Sequence, residues 1–366
     1  MATENSSGAF FGRRRTALVA GLLTLASGLA AGLVATSGAA QQLAQGEGTI
    51  FLRIATGSTS GSYFPIGTLI GSIISNPQGS RPCDRGGSCG VPGLIAAAKT
   101  TSGSVENVRA ISRGEIESGL SQADIAYAAF HGTGQFKGQP EGGKLRAIAS
   151  LYREAVHVVA RADTPIKSIR DLKGRPVGMG DKGSGTLVDA QILLNAYGLS
   201  EKTVKPFYAQ PGPSIDRLVA GDLDALFFIA GPPTAAISEL VARQPVQLVP
   251  IEGAAAEKVT KAYPFFVAES IPAETYAGLP ETPTLTVGAL WVISADVSEE
   301  LVYRMTRALW HENARAMLDR GHPLGRRIRV ETALEGVGIP LHPGALRYYQ
   351  EIGQQIDDTP AVPKTN

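Results

Sequence analysis

Three stretches of this 366-residue chain gather hydroxyl side chains and glycine where a helix is about to begin. Thr56-Gly57-Ser58-Thr59-Ser60-Gly61-Ser62 precedes an apolar-periodic helix from about Phe64 to Ile74. Ser102-Gly103-Ser104 precedes Val105-Glu106-Asn107-Val108. Gly180-Asp181-Lys182-Gly183-Ser184-Gly185-Thr186 opens a helix with Leu187, Ala190, Leu194 and Tyr197 on one face, ended by Gly198. The first N–H groups of a helix have no intrahelical partner and carry partial positive charge, so helix starts favour anions. One such loop alone reads as an ordinary Ser or Thr cap. Three equivalent loops read as a set able to hold a carboxylate without a buried arginine.

Other chemistries find less support. Gly178-Met179-Gly180-Asp181-Lys182-Gly183 fits G-x-G-x-x-G, but no acidic residue ends a second strand at the spacing a dinucleotide site needs. Gly86-Gly87-Ser88-Cys89-Gly90 fits the G-x-S-x-G elbow, but no strand leads into it. His131, His157, His311, His322 and His342 show no metal-binding spacing, and paired Asp or Glu at catalytic spacing are absent. His157 lies within a strand-like apolar run and reads as a hydrogen-bonded structural residue. The expectation is a non-enzyme with no metal and no cofactor. Gln122 and Tyr127 flank a strand assigned to Ile125-Ala126-Tyr127-Ala128, where each is either a cleft group or a packed core residue.

The elements that must position these loops occur twice. A strand at Phe51–Ala55 and one at Arg175–Met179 each run into a Gly/Ser/Thr loop and a helix. Val108–Leu120 and Ile215–Phe227 each read as a short helix stopped at glycine (Gly114, Gly221), then an acidic-apolar-acidic turn leading to a strand. The second of those strands is Ala225–Ile229. Alternating strands and helices predict parallel sheets, with ligands at the carboxyl ends of the strands. Two long strands, Leu145–Ala160 with a charged break and Leu285–Ile293, cross between the units and make a hinge. A helix over Glu299–Leu318 follows, with Leu301, Met305, Ala308 and Leu309 inward. The predicted architecture is α/β, with lobe one built from 49–150 plus 285–355 and lobe two from 151–284.

Arg13-Arg14-Arg15, an apolar run from Ala17 to about Ala35 and small residues at Ser37-Gly38-Ala39-Ala40 describe an export signal over 1–40, of the Sec or twin-arginine kind. A membrane anchor is the rival reading. Cleavage takes the net charge from +1 to −1, since it removes three Arg and Glu4. Near-zero charge argues against nucleic acid as partner. An apolar fraction of 43% against 18% charged residues excludes a disordered chain, and 43 Gly with 23 Pro lack any collagen period. The expected location is periplasmic. In that oxidising space Cys83 and Cys89, flanking a Gly-rich loop, are expected to bond.

Ile54-Ala55-Thr56-Gly57 through Ser62-Tyr63-Phe64-Pro65-Ile66-Gly67 resembles the opening motif of the TAXI proteins, the solute receptors of one branch of the TRAP transporters. The resemblance continues through Gly103–Asn107, Gln122–Tyr127, Ala149–Tyr152, Val156–Val159, Gly183–Thr186, Ala230–Pro233, Tyr263–Phe265 and Pro340–Gly344. Val91-Pro92-Gly93-Leu94-Ile95 is similar to the branch holding bacterial 31 kDa immunogenic proteins. It implies a two-lobed type II periplasmic-binding fold and a receptor that delivers a small carboxylate, such as glutamate or 2-oxoglutarate, to TRAP membrane permease subunits. An ATP-driven (ABC) importer is the alternative partner, and a secreted enzyme on the same fold a further one. Carried across by motif, Thr59, Ser60, Gly61, Tyr63, Ser104 and Gln122 would contact the solute from lobe one. Ser184, Gly185, Thr186 and Gly231 would do so from lobe two. Ser60 and Phe64 depart from the motif, where Gly and a second Tyr are common.

Overall fold

The computed structural model describes residues 48–138 and 140–356, so the expected export signal over 1–40 lies outside the described residues. In chain order the first elements are β1 (Ile50–Ala55), α1 (Tyr63–Ile74), β2 (Ser75–Asn76), β3 (Val91–Pro92), β4 (Leu94–Lys99), α2 (Ser104–Ser112), β5 (Ser118–Gln122) and α3 (Ala123–His131). A long strand, β6 (Leu145–Arg161), leads to β7 (Pro176–Gly178), α4 (Gly185–Ala196), β8 (Lys205–Phe207), α5 (Pro211–Ala220) and β9 (Ala225–Ala230). Then come α6 (Ala235–Arg243), β10 (Val246–Leu248), α7 (Gly253–Ala262), β11 (Val267–Ile271) and β12 (Thr282–Ser294). The chain closes on α8 (Glu299–Leu309), α9 (Glu312–Gly321) and α10 (Pro343–Glu351). Among the described residues no helix is long and apolar enough to cross a membrane.

One mixed sheet runs β4-β1-β5-β12-β6-β9-β7-β8, with β10 added to β6 and β11 to β12. Its two ends repeat one plan. β1 lies parallel between β4 and β5, and β7 lies parallel between β8 and β9. In each end the first strand is central, so its carboxyl end and the helix after it open at the middle of the unit. The duplication read from the sequence is therefore present in the topology. β6 and β12 join the ends as an antiparallel pair. β6 is buried on both faces for most of its 17 residues, as a central strand must be. At Ala155 it pairs with both β12 and β9, and beyond that residue β9 and β10 replace β12. Trp291 on β12, fully buried with Leu120, Met305 and Tyr349, anchors the core behind the first end of the sheet.

Two elements differ from the expectation. Ile125–Ala128 is not a strand: the strand is Ser118–Gln122, and the apolar run belongs to α3. A short run of apolar residues carries no period that separates strand from helix. Tyr127 consequently packs on His131 and Phe265 rather than at a strand end. The single helix expected over 299–318 is two, broken at Trp310-His311, where the His311 ring accepts from the Asn313 N–H and starts α9. Leu301 is only partly buried; Val302 takes the inward place.

The Cys83–Cys89 disulfide is formed, and Asn313 Nδ2 at the start of α9 donates to Cys89 Sγ at 3.0 Å. Cys83, Cys89 and His311 lie close enough to share a metal, but the disulfide engages both sulfurs. Closing so short a loop constrains the unfolded chain by about 2 kcal/mol in the chain-entropy account. A Cys83→Ser/Cys89→Ser double variant should lose roughly that much stability, read as a lower urea midpoint at unchanged slope; an unchanged midpoint refutes the contribution.

Candidate functional site

The carboxyl ends of β1, β4, β7 and β8 deliver four helix starts to one place. Ser62-Tyr63 of α1 and Gly103-Ser104 of α2 come from the first end of the sheet. Ser184-Gly185 of α4 and Gln210-Pro211 of α5 come from the other. All of them line one cavity of about 70 Å³. That is room for roughly five waters at ~10–15 Å³ each, and hence for a small metabolite. Among the described residues no Lys, Arg or His lines it. Two carboxyl residues do: Asp181 at the rim and Glu154 at the floor.

Local sequence explains each wall. Ser184 caps α4, its Oγ accepting from the Leu187 N–H at 3.1 Å. Gly183 has φ +97°, a conformation that glycine adopts readily and that turns the loop into the helix. Its carbonyl accepts from the Glu106 N–H of α2 at 2.9 Å, tying the two ends of the sheet together across the cavity. Gly185 is required by close approach: a Cβ there would overlap Gln122 Oε1. Thr186 Oγ1 meets the Ile229 N–H at 3.4 Å.

A chain of buried polar groups runs through the wall. Glu154 Oε1 accepts from Ser62 Oγ (3.1 Å) and its Oε2 from Tyr63 Oη (2.7 Å). Tyr63 Oη lies 3.5 Å from Ser104 Oγ, which accepts from the Gln122 N–H at 3.1 Å. Gln122 Nε2 donates to Asp189 Oδ2 at 2.5 Å, and Asp189 is hydrogen-bonded in turn to Asp124. Asp189 sits on α4 and Asp124 on α3, so this last pair also spans the two ends. Glu154 is 2% exposed, Asp189 0% and Asp124 8%. Burial pushes the Glu154 carboxyl up to about 8 and Asp124 up to about 6. Burial and then the Asp124 charge raise Asp189 well above the carboxylate range. Two carboxyl groups can hydrogen-bond each other only through a shared proton, so the interface holds protons at neutral pH.

Seven of the ten residues expected at the solute line the cavity: Gly61, Tyr63, Ser104, Gln122, Ser184, Gly185 and Thr186. Three do not. Thr59 faces a neighbouring depression with Ser102 and Gln210, and Ser60 Oγ pairs with Ser58 Oγ at 3.1 Å. Gly231 packs on Leu324 and Tyr152, its N–H 3.5 Å from Ser62 Oγ. Phe64 is also off the cavity. Sequence reasoning missed Glu154, which it took for a charged break in a crossing strand. It also missed Ser214 in the first turn of α5, whose buried hydroxyl has no partner and lines the cavity. His157 is structural as expected: Nδ1 donates to the Phe228 carbonyl (3.2 Å), Nε2 accepts from Tyr276 (2.8 Å), and burial lowers it to about 4. A second cavity of about 420 Å³ opens beside Arg153, Glu269 and Arg327, where Arg153 and Glu269 already pair at 2.9 Å. Of the helix starts, that of α3 reaches it, through Ala123.

Residues 54–353 match the NMT1-like family. The chain belongs to that family. Among solved structures it is similar to the periplasmic aliphatic sulphonate binding protein SsuA from Escherichia coli, at 14% identity and TM-score 0.41 over 82% of this chain and 78% of that one. It is similar as well to the alkanesulfonate-binding protein SsuA from Xanthomonas axonopodis pv. citri bound to MOPS (14%, TM-score 0.45, 82% and 83%). The periplasmic binding protein BugD gives 11% identity and TM-score 0.49 over 82% and 94%.

The protonated carboxyls set a pH dependence. A group whose folded pKa is raised stabilises the fold below its unfolded value, and that contribution is lost as pH rises through the folded one. The window runs from the ordinary range near 4 up through about 6 for Asp124 and about 8 for Glu154. The buried His157, lowered to about 4, acts in the opposite sense up to its ordinary value of 6.5, so melting temperature should fall between pH 7 and 8.5, where Glu154 titrates, and Glu154→Gln should flatten that fall. A profile that rises across the same interval contradicts the assignment.

Proposed function

We propose that this protein is an extracytoplasmic receptor for a small organic anion, held between two lobes that close around it. The observation that carries this reading is the cavity itself: four helix starts and a set of hydroxyls converge from both ends of the sheet, with no basic side chain at the wall among the described residues. Each helix start contributes about 0.3–1 kcal/mol toward an anion, more when partly buried. Hydrogen bonds to a charged group add about 1.5–3 kcal/mol each. Together these hold a carboxylate without an arginine.

The lobes are 49–150 with 285–355, and 151–284; β6 and β12 form the hinge. The solute binds one lobe, and contacts from the other stabilise the closed state. Gly61, Tyr63, Ser104 and Gln122 serve from one side, Ser184, Gly185 and Thr186 from the other. Thr59, Ser60 and Gly231 act at the rim and hinge. The motif resemblance favours delivery to TRAP permease subunits; an ABC importer would use the same closed surface. The sequence motif over 1–40 favours a periplasmic location for the mature protein.

Calorimetry against a panel of small carboxylates tests the reading, and a panel with no binder refutes it. Ser184→Ala with Thr186→Ala should weaken the best binder by about 1–3 kcal/mol, and an unchanged affinity removes those hydroxyls from the site. Gly185→Ala should weaken binding at least as much, because its methyl group displaces Gln122 from the closed position; retained affinity shows that the closed packing is not used.

A further inference from the structure

The cavity described above is built around a carboxyl group that it does not need for an anion. Glu154 lies at its floor, 2% exposed, on the strand residue next to the point where β6 exchanges β12 for β9. Both of its oxygens accept hydrogen bonds, one from Ser62 and one from Tyr63. Ser62 is itself approached by the Gly231 N–H from the other side of the cleft, which leaves its own hydrogen free for Glu154. With both hydroxyls donating, the pair is a frame for a carboxylate; while Glu154 keeps its proton, one of the two hydroxyls turns to accept it instead. A frame for a carboxylate lacks only a counter-ion.

The described residues supply none. The titratable groups facing Glu154 are Tyr63 on α1, Tyr152 on its own strand, Asp124 on α3 and Asp189 on α4. All are neutral or acidic. Arg153, next in the chain, points to the opposite face and pairs with Glu269. An isolated buried carboxylate costs several kcal/mol, so the empty cleft keeps Glu154 protonated.

We propose that Glu154 receives a protonated amine of the solute, which is therefore a small amino acid or related zwitterion, and that docking expels the Glu154 proton to solvent. The acid group of such a solute meets the helix starts, and its ammonium meets Glu154. No covalent bond forms or breaks other than the carboxyl O–H, whose proton leaves to the buffer. This deepens the proposed anion-receptor reading and rests on it. It makes Glu154 the residue that separates amino acids from their oxo and hydroxy counterparts.

The test is calorimetry with matched series differing at one carbon: glutamate, 2-oxoglutarate and 2-hydroxyglutarate, and likewise alanine, pyruvate and lactate. Titrations at pH 6.5 in two buffers of different ionisation enthalpy count the protons released. The expected result is at least tenfold preference for the amino member, with close to one proton released for it and none for the oxo member. Glu154→Gln keeps the shape and should narrow the amino-to-oxo ratio at least tenfold and abolish proton release. Tyr63→Phe removes one donor from the carboxylate and should narrow the ratio in the same direction; where Glu154→Gln fails to fold, this variant and the wild-type proton count decide. Tighter binding of the oxo or hydroxy member, no proton release, or an unchanged ratio in folded Glu154→Gln overturns this proposal alone. Binding of no member of either series overturns the anion-receptor reading with it.

Discussion

Three carboxyl groups are buried at the joint between the two ends of the sheet, and among the described residues no cation is buried with them. Everything else at the site follows from that constraint. Glu154, Asp189 and Asp124 lie along one run of hydrogen-bonding groups through Tyr63, Ser104 and Gln122. Surface acids elsewhere in the chain take the ordinary course: Glu117 is paired with Arg53, and Asp319 with Arg315. Their charges are held, and their pKa values are lowered. At the joint the opposite holds, because burial outweighs every other influence and the protons stay. The packing at this joint is therefore charge-sensitive in a way that the apolar packing around it is not.

The scaffold places this joint by strand order. In both ends the first strand is flanked by the other two, so the loops after β1 and β7 open at the middle of their units and face each other. This much was legible, because glycine, serine and threonine at a strand-to-helix turn have a local cause. Gly183 and Gly180 turn the backbone at positive φ, and Ser184 caps. The repeated helix stop at Gly114 and Gly221 was legible for the same reason, both residues having positive φ.

What was not legible depended on partners distant in sequence. Glu154 beside Arg153 reads as a charged interruption of a strand; only the packing of Ser62 and Tyr63, some ninety residues earlier, makes it a buried acid. Ser214 looked like any helix residue near a proline, and its place at the cavity depends on α5 arriving there from β8. The apolar run at Ile125–Ala128 fits strand or helix equally, and the pairing of Ser118–Gln122 with β12 decides it. Glu299–Leu318 has continuous helical periodicity, so the break at His311 shows only in the cap geometry. Thr59, Ser60 and Gly231 share the composition of the site without its geometry: a Gly/Ser-rich loop is longer than the cavity it borders.

The magnitudes explain why the acids and the helix starts belong together on the proposed reading. Helix starts attract the acid end of a solute but act weakly one by one, at about 0.3–1 kcal/mol each. A buried carboxylate without a partner costs several kcal/mol, more than any single helix start returns. A purely anionic solute would add its charge to a cavity already lined by two carboxyl residues, and closing would be favoured only while Glu154 keeps its proton. A zwitterion changes the balance at both ends at once: its acid group uses the helix starts, and its ammonium removes the cost of the Glu154 charge. Selectivity then comes from a penalty on the wrong solute as much as from attraction to the right one, since a neutral oxo group leaves the carboxylate frame of Ser62 and Tyr63 around a group that has no counter-ion.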